Sequence, residues 1–283
     1  MTCARSIAQV RDEVSAARRE GHIISLVPTM GALHAGHGAL IDRARRDSGF
    51  VVVSIFVNPI QFDRREDYDA YAINLHSDLD FCAARGVDAV FAPAPAEMYP
   101  APTATTVEVA ALSEHLCGKF RPGHFRGVTT VVAKLFHIVA PDRAYFGEKD
   151  AQQLAIIQRM VADLNFPIEI VAIPTVREPD GLALSSRNAR LTPEERAAAP
   201  VLYQALQRAN QRLAGGCRCA NELREAALEI LARVPQARVE YLEVVDAQSM
   251  QPLEEITGPV RIAAAVWFGE TRLIDNVGWQ TSV

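Results

Sequence analysis

Two histidines three residues apart, His34 and His37, stand in the run Pro28-Thr29-Met30-Gly31-Ala32-Leu33-His34-Ala35-Gly36-His37. The apolar run at 23–27 precedes it and a pattern of helical period over 37–47 follows. The pair therefore falls where a strand hands over to a helix N-terminus. Such a terminus presents free backbone N–H groups and a positive dipole end, which suit a phosphate. Imidazoles at that place add hydrogen bonds to a phosphate whose charge rises during reaction. The chemistry this points to is nucleotide chemistry. The same spacing also reads as half of a metal site or as two surface histidines.

Four further polar clusters follow. Asn58-Pro59-Ile60-Gln61-Phe62 comes directly after the apolar run 51–57. Its amides offer neutral, orientable donors to a carboxylate or hydroxyl, and Asn-Pro at a strand end is equally a good turn. Arg121-Pro122-Gly123-His124-Phe125-Arg126-Gly127 reads as a loop whose arginines suit phosphate or carboxylate, or as a solvated loop. Gly147-Glu148-Lys149-Asp150 closes a strand and opens a helix. Gly147 permits a close backbone approach, Lys149 supplies a point charge, and Asp150 can accept from a ribose. Gln153 falls one turn after Lys149 on the same face, and acidic residues are also ordinary in a first helical turn. Leu184-Ser185-Ser186-Arg187-Asn188 carries two hydroxyls and a guanidinium on a turn-flanked loop, able to close over a triphosphate or to serve as a plain hinge.

These clusters need elements to hold them. Apolar runs at 23–27, 51–57, 87–91, 144–146 and 168–173 alternate with helical patterns at 37–47, 75–85, 127–139 and 149–164. Short runs rich in Val and Ile suit strands buried on both faces, and strand–helix alternation implies a parallel sheet with right-handed crossovers. Ligands bind beyond the carboxyl ends of such strands, where the polar clusters fall. After residue 176 the texture changes. Thr192-Pro193-Glu194-Glu195 starts a helix expected to run to about Leu213, where Gly215-Gly216 stops it. A second helix near 221–233 leads to an alternating strand at 238–245. Two runs, 260–268 and 271–277, joined by Gly269-Glu270, read as a hairpin. The expected fold class is α/β: a Rossmann-like parallel-sheet domain at 1–175 and a smaller α+β domain at 176–283.

Bulk properties narrow the function classes. The 283 residues carry 29 Lys and Arg against 34 Asp and Glu, a net charge of −5, which argues against a general nucleic-acid binder, since that would need a basic face. No apolar run approaches the ~20 residues that span a bilayer. Arg5, Arg11, Asp12 and Glu13 interrupt any signal-peptide core, so none is expected. Five cysteines without framework spacing fit reduced thiols in a cytoplasm, with Cys217-Arg218-Cys219 as incidental loop residues.

In order and wording the clusters resemble the pantothenate synthetase family, ATP-dependent ligases that join pantoate to β-alanine. The resemblance runs from Pro28 through Asn188 and resumes at Val239-Glu240-Tyr241-Leu242-Glu243-Val244-Val245-Asp246 and Thr271-Arg272-Leu273-Ile274-Asp275-Asn276. It implies a Rossmann-like nucleotidyltransferase domain with a C-terminal lid, usually a homodimer, acting on small molecules. His34 and His37 match the pair at the ATP phosphates, Lys149 the lysine at pantoate and phosphate, and Asp150 the ribose contact. Ser185, Ser186 and Arg187 match the mobile phosphate loop. Met30, Gly31, Gly147 and Val176 complete the implied nucleotide site. Gln61 and Gln153 match the glutamines that hold pantoate, with Pro28, Met30, Asn58 and Arg121 around the substrates. The implied mechanism is attack of the pantoate carboxylate on the α-phosphorus, then attack of the β-alanine amine on pantoyl adenylate. Magnesium is implied to neutralise the β- and γ-phosphates.

The chain departs from the family pattern at several places. Ala72 and Ile73 replace Pro-Arg after Tyr71, Cys117 a usual Glu, Ala151 an aromatic and Leu184 a Met. Ser77 precedes Asp78 where an acidic pair is common, and Asp78 is the implied metal contact. These departures leave open a related acyl-adenylate ligase with another acid or amine, or a catalytically weak ATP-binding relative. Intact His34, His37, Lys149 and Ser186 speak for the working ligase.

Overall fold

The computed structural model describes residues 1–63, 68, 71 and 74–279. Ala72 and Ile73 lie outside the described residues. Strands β1 (Thr2–Ala4), β2 (Ile24–Thr29), β3 (Phe50–Ile55), β4 (Ala89–Phe91), β5 (Arg143–Gly147) and β6 (Glu169–Ile173) form one parallel sheet in the order β1-β4-β3-β2-β5-β6. Their Val- and Ile-rich centres are buried on both faces, as a sheet covered by crossover helices requires. Val27, Ile41, Val53, Val90 and Tyr145 belong to one apolar cluster there. Each of the aliphatic side chains among them contributes about 1.5–3 kcal/mol by leaving water.

From β2 the chain adds β3 and β4 on one side, while β5 and β6 lie on the other. β2 and β3 stay in register to Thr29 and Ile55. β2 and β5 pair at Ser25–Arg143 and Leu26–Ala144. The sheet thus reverses its direction of growth beside β2, the place where open α/β sheets hold ligands. The segment from Met30 to His34 leaves β2 there.

The chain divides into two compact units, and not by a single cut. One comprises Met1–Val109, Arg121–Glu148 and Ile156–Pro174; the other Ala110–Phe120, Lys149–Ala155 and Thr175–Val283. The second holds an antiparallel sheet of β7 (Ala237–Asp246), β8 (Val260–Phe268) and β9 (Thr271–Trp279), in that order. The β8–β9 turn uses Gly269 at φ +54°, the left-handed backbone that a two-residue hairpin asks for. Leu202, Leu206, Leu223, Ile262, Val266 and Phe268 form its core.

Two sequence expectations need correction. The helix expected from Thr192 to Leu213 is two helices, Pro193–Ala198 and Val201–Ala214. Pro200 lacks the N–H that would bond Arg196 and so interrupts the ladder. The loop expected at 121–127 is partly helix, since His124–Val139 begins directly after Gly123, which takes φ +79°. Before residue 23 the sequence reading assigned no element; Ile7–Arg19 is a helix with a Ser6/Gln9 capping box. Its apolar stripe is only Val10, Val14 and Ala17, too narrow to stand out among the charges. Among the described residues no helix is long and apolar enough to cross a membrane.

Candidate active site

The histidine turn is tied down from three sides. The Thr29 hydroxyl donates to the Ser54 carbonyl at 2.7 Å and accepts the Gly31 N–H at 3.2 Å. Gly31 and Ala32 follow at φ +87° and +51°, both left-handed. The Asp78 carboxylate accepts the Ala32 N–H at 3.0 Å and the Leu33 N–H at 2.8 Å, one on each oxygen. Left-handed backbone costs a non-glycine residue about 1–2 kcal/mol. A hydrogen bond to a charged group contributes about 1.5–3 kcal/mol, so the two bonds outweigh the strain at Ala32.

His34 then caps the helix Ala35–Asp47. Its Nδ1 accepts the Gly36 N–H at 3.1 Å, and the His37 Nδ1 accepts the His34 N–H at 3.3 Å. The arrangement is a capping box built from imidazoles. The ring centroids lie 4.2 Å apart. An Nδ1 that accepts a backbone N–H leaves the proton of a neutral ring on Nε2. The backbone therefore sets both rings as Nε2–H donors at a positive helix end.

Asn58 and Gln61 form a second, connected group. Asn58 is 1% exposed, and its amide nitrogen donates to the Gly127 carbonyl at 3.0 Å and to Gln61 Oε1 at 3.1 Å. A carbonyl can only accept, which fixes the Asn58 amide and with it the Gln61 amide. The Tyr99 hydroxyl donates to Asn58 Oδ1 at 2.8 Å. Burial pushes that hydroxyl's pKa up to about 12, so it stays a donor. Gln61 Nε2 is left facing the Met30 sulfur at 2.9 Å, a weak acceptor. Asn58, expected at the substrate, bonds Gln61, Gly127 and Tyr99 here. His124 joins Arg121 to this group. Its Nε2 accepts from the Arg121 guanidinium at 3.1 Å and its Nδ1–H donates to the Gln61 carbonyl at 2.8 Å. Arg121 also pairs with Asp63 at 3.6 Å. A Cβ on Gly127 would press on the Ile60 carbonyl oxygen and lie 2.6 Å from Gln61 Cα. Only glycine lets the helix come that close.

The second unit carries its own small cleft, where the polar residues Lys149, Ser185, Arg187, Asn188, Arg272 and Asp275 stand beside apolar ones such as Leu182 and Leu202. Lys149 and Asp150 lie on a 3-10 turn, Glu148–Asp150, and Gln153 is half-buried on the helix Ala151–Asp163 that follows. The Asn276 amide donates to the Lys149 carbonyl at 3.0 Å. The Ser185 hydroxyl caps the turn Ser186–Arg190 by accepting the Arg187 N–H at 3.3 Å. The Leu184 N–H reaches the Val176 carbonyl at 2.9 Å. Asp275 is 3% exposed and meets Arg177 through two bonds, at 2.6 and 3.0 Å. Burial holds its carboxyl above the usual carboxylate range, against the pull of Arg177. Cys117 lies 3.1 Å from the Tyr241 hydroxyl, and Arg272, bonded to Glu240 at 2.8 Å, also reaches its sulfur. In this chain, Glu240 supplies the carboxylate beside Arg272.

Each unit thus gathers part of the sequence-derived set: Met30, His34, His37 and Gln61 in the first, Lys149, Ser185 and Arg187 in the second. A Cβ on Gly147, at the end of β5, would meet nothing within 4 Å, so packing does not demand that glycine. Asp78, expected as a metal contact, has a structural role in the turn. Its carboxylate, 3% exposed, is bonded to two backbone N–H groups, and no three His, Cys, Asp or Glu residues gather in a metal-sized group among the described residues. Sequence reading gave Tyr99 and Arg177 no role. Neither stands in a polar cluster, and each acts through a partner more than forty residues away.

Comparison with known proteins supplies the remaining findings. A family model described as pantoate-β-alanine ligase matches residues 2–278. A pantothenate synthetase of Moorella thermoacetica is 56% identical over 277 residues, covering 98% of each chain. The crystal structure of pantothenate synthetase from Thermus thermophilus superposes with a TM-score of 0.92 at 48% identity, covering 98% of this chain and 99% of that one. A pantoate-β-alanine ligase from Francisella tularensis, complexed with β-γ ATP and β-alanine, superposes with a TM-score of 0.80 at 35% identity, covering 98% and 97%.

Proposed function

The chain belongs to the pantoate–β-alanine ligase family, and on that premise we propose that it uses ATP to join pantoate to β-alanine through pantoyl adenylate. The observation that carries this reading is the imidazole capping box. It presets two Nε2–H donors at a helix N-terminus without any reorganisation at the moment of reaction. In the first step a pantoate carboxylate oxygen bonds to the α-phosphorus and the bond to pyrophosphate breaks. Negative charge gathers on the phosphate oxygens, so fixed donors and cations matter more than a base. In the second step the β-alanine nitrogen bonds to the acyl carbon, AMP leaves with the former carboxylate oxygen, and the amine gives up a proton.

The residue roles are those the family resemblance implies, and the chemistry each side chain can supply agrees with them. His34 and His37 donate to the phosphates, and Lys149, Ser185, Ser186 and Arg187 add cations and hydroxyls. Asp150 accepts from the ribose, while Met30, Gly31, Gly147 and Val176 offer backbone or surface to the nucleotide. The open space at Gly147 supports that assignment. Gln61 and Gln153 hold the pantoate hydroxyl or carboxylate, with Pro28, Met30 and Arg121 around them, and Asn58 fixes the Gln61 amide. Magnesium is proposed to arrive on the ATP phosphates, as it commonly does, because the described residues form no carboxylate cage for it. No step is assigned to it. On the family resemblance we also propose a homodimer working in the cytoplasm.

The test is exchange of labelled pyrophosphate into ATP. Exchange that requires pantoate and proceeds without β-alanine is the expected result. Exchange driven only by another hydroxy acid identifies a related ligase, and none with any acid in folded, magnesium-supplied protein removes the ligase reading.

A further inference from the structure

We propose that Asp78 is the positioning residue of the histidine pair: its carboxylate locks the left-handed turn at Gly31–Ala32 that fixes where His34 and His37 stand. The inference rests on the reading that those histidines serve the nucleotide. Ala32 has a Cβ and yet takes φ +51°, and it lies two residues before the N-cap His34. A turn strained at that point relaxes unless something holds it. Asp78 holds it with both oxygens, on two consecutive N–H groups. The acceptor has to be a carboxylate. An amide of the same shape offers one oxygen and one NH2, so one backbone N–H would face another donor.

The carboxylate is itself held in place. Asp78 sits in the first turn of the helix Leu75–Ala83, whose N-cap Asn74 accepts the Ser77 N–H at 3.2 Å. That end of a helix favours a negative charge. Burial at 3% exposure keeps water from competing for the two N–H groups. The lock therefore transmits the position of one helix to the loop that opens another, within a single unit.

Four proteins test this: the wild type, Asp78→Asn, Ala32→Gly and the double variant. Glycine adopts the left-handed backbone without strain, so it should replace part of what the carboxylate does. In pantoate-dependent pyrophosphate exchange, Asp78→Asn should lower kcat about 10²-fold, the effect of a displaced catalytic group. It should also speed hydrogen exchange of the Ala32 and Leu33 amides. Adding Ala32→Gly should restore a large part of the lost rate, a non-additivity expected only of residues acting on one element. The proposal is overturned if Asp78→Asn leaves the rate or the amide protection unchanged. It is also overturned if the double variant is as slow as Asp78→Asn; a rise in the magnesium concentration for half-maximal rate would then mark Asp78 as a metal ligand. Should Asp78→Asn not fold, the double variant is compared with Ala32→Gly alone. If the wild type itself shows no exchange, the ligase reading fails, and the amide exchange rates alone decide the lock.

Discussion

The role proposed for His34 and His37 depends on which ring nitrogen carries the proton, and the backbone makes that choice. Both Nδ1 atoms accept N–H groups of the chain, so both Nε2 atoms are donors. His37→Ala removes one of them and also the partner of the His34 N–H. One transition-state donor is worth roughly 10²–10³ in rate, whereas loss of a helix-capping group costs about 1 kcal/mol of stability. Adenylate formation by His37→Ala should therefore fall by that factor while the melting temperature drops only a few degrees. Comparable losses in both would assign His37 to the fold. The types and spacing of these residues were legible in the sequence, because a histidine pair at a strand-to-helix junction is a local pattern. The roles of Asp78 and Tyr99 were not. A carboxylate forty-odd residues away cannot be paired with two backbone N–H groups without the tertiary structure.

At the scale of elements, the helix His124–Val139 and the turn Pro59–Gln61 meet at Gly127. Two effects oppose each other in Gly127→Ala. Alanine favours a helix interior by about 1 kcal/mol, and overpacking costs about 1–3 kcal/mol. The crowded atoms belong to the backbone of Ile60 and Gln61, which cannot swing aside like a long side chain, so the clash wins. Calorimetry should show a lower melting temperature, and the KM for pantoate should rise more than the KM for ATP, because Asn58 and Gln61 are displaced. A stabilised variant with unchanged KM would contradict this account. Element identity was largely readable: five of the six parallel strands and the hairpin sat in apolar runs bounded by Gly, Pro or Asn. Boundaries were not, where Pro200 divides a helical pattern or where a polar capping box starts Ile7–Arg19.

Over the whole molecule, the order of motifs carried more than any one of them. The alternation of strands and helices implied a parallel sheet, and Met30–His34 leaves β2 where the sheet reverses, the kind of place where open α/β sheets hold ligands. Two apolar cores, one in each unit, support the residues proposed for chemistry. The segments Ala110–Phe120 and Lys149–Ala155, which group with the later residues, could not be read from texture, since grouping depends on packing and not on local pattern. The central claim is that the acid is activated as an adenylate. Pantoate labelled with 18O in its carboxylate, incubated with ATP, β-alanine and the protein, tests it most directly. The account predicts one 18O atom in the AMP released. Label in inorganic phosphate, or AMP without label, would contradict it.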